Sequence, residues 1–170
     1  MAEPSRPPAR WSPGRVQARL RTLAVLELTN VALLGVAAFV LLKMPATWPN
    51  VVGFALVAVH LIVGAGYWLA KLRQLRTGAA RPPGIEAFRW CRVLCGVTVG
   101  IGTIAVIVAA VRDPGAGTIP GVLLALFAVA EYVNYFHVQL THDTAADLRR
   151  LVRTRRLHQS HLAMDLRRHG

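Results

Sequence analysis

Two Glu-x-x-Asn pairs stand inside apolar sequence: Glu27 with Asn30, and Glu131 with Asn134, the latter followed by Tyr135. Residues of these types can do two kinds of chemistry in a membrane. A protonated Glu donates to an amide oxygen and an ionised Glu accepts from an amide N–H, so the pairs can clasp helices together. A carboxyl at membrane depth can also exchange a proton or hold a cation, which is why intramembrane ionisable residues mark ion and proton paths. Left unpaired, a charged side chain costs about 2.5–3.5 kcal/mol at the centre of a span and less near its ends, so partners are expected.

Other chemistries find little support. Cys91 and Cys95 are four apart rather than in the C-x-x-C spacing of a redox pair. They read as buried small hydrophobes at an end kept reduced by the cytosol. His158 and His161 have helical i, i+3 spacing but lie in an Arg-rich segment that repels cations. A haem bridging His60 and His137 is disfavoured, because His60 falls near the midplane and His137 near the inner surface. Neither Glu has the His three residues later that di-iron helix bundles use. No nucleophile–base set and no phosphate-binding glycine loop stands out, so the expectation is a non-enzyme with no metal and no cofactor.

The elements that must position the pairs follow from composition. The chain has 170 residues, of which 54% are hydrophobic and 16% charged. That leaves too little polar surface for an ordinary soluble domain. Four apolar runs of about 20 residues match the thickness of hydrocarbon at 1.5 Å rise per residue. They are placed at 23–42, 51–70, 93–111 and 119–139, within one bundle spanning 23–140. The fold expected is an all-α integral membrane four-helix bundle with a C-terminal amphipathic helix.

Charge orients it. Of 20 Lys and Arg, five precede the first run, six lie between the second and third, and seven follow the fourth. Only Lys43 and Arg112 fall in the other two loops. The positive-inside rule then puts both termini in the cytoplasm of a cell (plasma) membrane. The net charge of +12 is read as a topology signal and not as nucleic-acid binding. Eighteen Arg against two Lys suggest a GC-rich bacterial genome.

Residues 1–22, rich in Pro and Arg, read as a flexible basic arm. The third run carries Gly96-x-x-x-Gly100, a small-xxx-small pattern that lets helix backbones approach and predicts a packing face. Residues 141–170 form a basic tail in which Leu148, Leu151, Val152, Leu162 and Leu166 recur at helical spacing. Arg149, Arg150, Arg153, Arg155 and Arg156 would rest it on anionic lipid headgroups, at about 1 kcal/mol per basic residue near the surface. Docking on a protein partner, or homo-oligomerisation, is the alternative.

Antiparallel geometry relates the two pairs. Counting 1.5 Å per residue from the inner ends, Glu27 lies roughly 6 Å deep and Asn134 roughly 7–8 Å. Asn30 lies roughly 10 Å deep and Glu131 roughly 12 Å. Each Glu is thus level with the Asn of the other helix, and a clasp of the first helix to the fourth is expected. A single Glu in the first of four helices also resembles the small multidrug resistance transporters. Their loops are very short, unlike the basic segments here. The string Glu131-Tyr132-Val133-Asn134-Tyr135-Phe136-His137-Val138-Gln139-Leu140, with Asp143 and Ser160-His161-Leu162-Ala163-Met164-Asp165-Leu166, resembles uncharacterised small four-pass membrane proteins of GC-rich bacteria. That resemblance implies topology only. The function expected is structural or accessory, with a small proton-coupled transporter using Glu27 or Glu131 as the alternative.

Overall fold

A computed structural model describes residues 13–139 and 158–168. Four helices are long and apolar enough to cross a membrane. Helix α1 (Pro13–Gly35) continues as a π-helical segment (Val36–Leu41), and α2 (Trp48–Thr77), α3 (Ile85–Arg112) and α4 (Ile119–Phe136) follow. Strands β1 (Val138–Gln139) and β2 (His158–Gln159) pair antiparallel, Val138 opposite Gln159, and lead to α5 (His161–Arg168).

The bounds differ from those of the apolar runs for local reasons. Helix α1 starts at Pro13, inside the stretch expected as a flexible arm; Pro fits a first helical position, and the Arg, Leu and Ala that follow are good helix formers. The rest of that arm lies outside the described residues. Helix α2 runs on through Lys71 and Arg76 because nothing breaks it before Gly78, whose φ of 66° caps it with an N–H bond to Gln74 O. Gly84, φ 75°, opens α3. At the opposite end the π-helical segment stops at Leu41, just before Lys43, a non-glycine residue with φ 49°. Helix α4 ends at Phe136, short of the expected Gln139, because the chain beyond His137 turns into the pairing with β2.

Helix α2 is the hub, packing on α1, α3 and α4, while α3 also packs on α4. In its apolar window 39% of residues are buried, against 11% in α1. The outward faces carry exposed Leu33, Ile101, Ile104 and Leu123. An apolar exterior of this extent suits hydrocarbon and not water.

Glycines set the tightest contacts, and not at the place expected. A methyl on Gly53 would sit 3.0 Å from Gly121 Cα, and one on Gly121 would sit 2.5 Å from Pro49 O, so α2 and α4 touch backbone to backbone. Gly64 makes room for the Tyr135 ring, which a methyl there would approach to 2.5 Å. Gly96 faces the Tyr132 hydroxyl, whereas Gly100 is exposed with nothing within 4 Å. Of the Gly96/Gly100 stripe, Gly96 alone meets another helix in this bundle: it seats the Tyr132 ring of α4, while Gly100 meets nothing within 4 Å.

Candidate functional site

Glu27, Asn30, Glu131, Asn134 and Tyr135 line one groove of about 440 Å³ between α1 and α4. Leu33 and Leu34 of α1, Ala37 of the π-helical segment, Leu61 of α2 and Phe127 of α4 complete its walls. Helical periodicity places them: residues 27, 30, 34 and 37 share a stripe of α1 and its π-helical continuation, and 127, 131, 134 and 135 share one of α4. The groove exists because α1 packs along α2 instead of pressing onto α4.

This separation changes the expected pairing. Glu27 accepts a hydrogen bond from the Tyr135 hydroxyl, and the Trp68 side chain of α2 lies beside it. Asn134 makes a long contact, 3.5 Å, with Glu131 one turn back in its own helix. Asn30 is exposed on the groove wall. The clasp of Glu27 to Asn134 and Asn30 to Glu131 is thus replaced by a Glu27–Tyr135–Trp68 junction. Glu27 comes level with Tyr135, the neighbour of the Asn134 expected opposite it. A tyrosine reaches across the groove where an asparagine is too short. Glu131 lies close enough to Glu27 to feel its charge.

His60 is fully buried on α2. Its Nδ1–H donates to Leu56 O at 2.6 Å, and its ring meets Tyr132 edge-on with centroids 6.0 Å apart. Nε2 has no partner among the described residues. His60 lies outside the groove lining. Cys91 and Cys95 are free thiols, and Cys95 is buried. Among the described residues no group of His, Cys, Asp or Glu could hold a metal ion.

Two polar arrangements escaped the sequence reading. At the end with the short loops, Asn50 is completely buried and fully bonded. Its Nδ2 donates to Pro45 O at 2.9 Å and Ala116 O at 3.0 Å, while Oδ1 accepts from Gly121 N–H at 2.8 Å. The Thr47 hydroxyl donates to Gly117 O beside it. The Pro49-Asn50 step, an amide just inside a helix start, was the available signal.

At the basic end, α5 docks on the bundle. Leu162 and Leu166 are buried in a cluster with Tyr67, Ile85, Cys95, Tyr135 and Phe136. Asp165 Oδ2 accepts from Tyr67 OH at 2.8 Å and pairs with Lys71 Nζ at 2.7 Å. The Ser160 hydroxyl donates to Tyr135 O and accepts from Ala163 N–H at 3.1 Å, which caps the helix. The described part of the apolar stripe expected to lie on lipid, Leu162 and Leu166, packs instead into an aromatic cluster of the protein. Leu148, Leu151, Val152, Arg149, Arg150, Arg153, Arg155 and Arg156 lie outside the described residues.

Compared with family models, curated proteins and solved structures, the chain finds no match.

Proposed function

We propose that this multi-pass membrane protein is a structural or accessory component of a bacterial plasma membrane. Its termini are cytoplasmic, and its basic end meets anionic lipid headgroups or a protein partner. It acts without catalysis, and it belongs with the small four-pass proteins that its C-terminal string resembles. The observation that carries this reading is the α2–α4 seam. Backbone contact at Gly53 and Gly121, the Asn50 clamp beside it and α5 across the basic end tie the bundle at both ends. A transporter needs packed elements that rock against each other around a central site. Contacts this close cannot slide without breaking.

Proton-coupled transport is the second reading, and the groove favours it, since both carboxyl groups face the same space. Proteoliposomes with an imposed pH gradient separate the two. The accessory reading expects dye-reported proton flux equal to that of protein-free vesicles. Flux above that level, abolished by Glu131→Gln, would install the transport reading instead. For the lipid contact, changing Arg149, Arg150, Arg153, Arg155 and Arg156 to Gln should lower the anionic lipid retained through mild-detergent purification. Unchanged retention would remove the electrostatic account.

A further inference from the structure

We propose that α5 is a latch whose docking is coupled to the groove through Tyr135 and Trp68, so that loosening one loosens the other. Two residues each touch both sites. Tyr135 gives its side-chain hydroxyl to Glu27 in the groove, while its backbone carbonyl accepts from Ser160, the residue that caps α5. Trp68 lies beside Glu27 and edge-on to the ring of His161, the first residue of α5, with centroids 6.0 Å apart. The residue before Trp68, Tyr67, holds Asp165 one turn further along α5, together with Lys71 one turn on in α2.

The Tyr135 ring cannot relax away from this junction. It lies directly over Gly64, where α2 presents backbone and no side chain. A shift of Tyr135 therefore moves the carbonyl that receives Ser160, and release of α5 frees that carbonyl and uncovers one side of the ring. Leu162 and Leu166 pack in the same cluster as Tyr135, so apolar contact transmits the displacement as well as the hydrogen bonds do. Between two sites joined in this way the coupling must be reciprocal: what the groove does to the latch, the latch does to the groove.

Cys95 reports the latch, being 4% exposed within the cluster that Leu162 and Leu166 complete. The test is N-ethylmaleimide labelling of Cys95 in a Cys91→Ser background, followed by mass spectrometry of the purified full chain in detergent. Asp165→Ala should speed labelling by about fivefold or more, within the usual range of site-to-site coupling, and so should Glu27→Leu, which removes the acceptor of the Tyr135 hydroxyl. Tyr135→Phe keeps the ring and the carbonyl to Ser160 and removes only the hydroxyl, so it should also speed labelling if Glu27→Leu does not fold. Glu27→Gln retains an acceptor oxygen and should stay near wild type. Leu28→Ala, an outward neighbour on α1, should not change the rate.

The reciprocal arm places a cysteine at Asn30 in a Cys91→Ser, Cys95→Ser background, where Asp165→Ala should speed labelling in the groove. The latch is overturned if Asp165→Ala leaves Cys95 as slow as wild type. The coupling is overturned if Tyr135→Phe leaves it so while Asp165→Ala exposes it, or if the groove cysteine does not respond to Asp165→Ala.

Discussion

Asn50 and the groove carboxyl groups are both polar side chains on membrane helices, and the bundle treats them in opposite ways. Asn50 has no exposed surface, and three backbone groups from two loops and a helix start satisfy it. Glu27, Glu131 and Asn30 border a space of about 440 Å³, with Asn30 exposed to it. A fully satisfied buried amide rigidifies what it joins. A carboxyl left facing a cavity keeps hydrogen-bonding capacity in reserve. The difference assigns Asn50 to architecture and leaves the groove as the place where the protein can respond to something.

Substitutions can break that contrast, beginning where the effect is largest. Gly121→Ala puts a methyl into the backbone of Pro49 and Asn50, neither of which can swing aside. A loss of about 3 kcal/mol is expected in detergent unfolding. A melting temperature equal to wild type would mean that the two helices are not in backbone contact. Asn50→Leu strips the Gly121 N–H and two carbonyls of their partner, and should cost about 2 kcal/mol by the same measurement. If it cost less than a groove substitution, the assignment of Asn50 to architecture would be wrong.

Groove substitutions should be gentler. Glu131→Gln should be nearly neutral, and Glu131→Leu should cost less than about 1 kcal/mol, in line with the small average worth of hydrogen bonds inside membranes. A collapse of folding in Glu131→Leu would make the groove a structural clasp after all. The smallest effect belongs to Gly100→Leu, which meets nothing within 4 Å and should shift stability by less than about 0.5 kcal/mol. Gly96→Leu, beside Tyr132, should be clearly worse. Equal losses at both positions would restore the stripe as a packing face.

The lining of the groove was legible in the sequence. The five residues expected to cluster in the membrane do line one space, because helical periodicity fixes which side chains share a face and rise per residue fixes their depth. Partnership was not legible. Whether Glu27 meets Asn134 or Tyr135 depends on how α1 and α4 stand to each other, which their separate packing on α2 decides. Gly96 and Gly100 illustrate the same limit, since equal residue types at helical spacing ended with one against a tyrosine and the other open.

The four membrane-crossing helices were determined by sequence alone, since apolar length is a local property that no later packing can cancel. Their ends were decided by single residues, Gly78, Gly84 and Lys43, whose left-handed backbones end or open helices. Tertiary structure alone decided that α2 would be the hub, that α1 would stand off from α4, and that Leu162 and Leu166 would dock on the bundle. Each of those outcomes compares surfaces distant in sequence, with lipid as a competing partner almost as apolar as the protein. Such a choice rests on shape and a few hydrogen bonds, and neither is written in hydropathy.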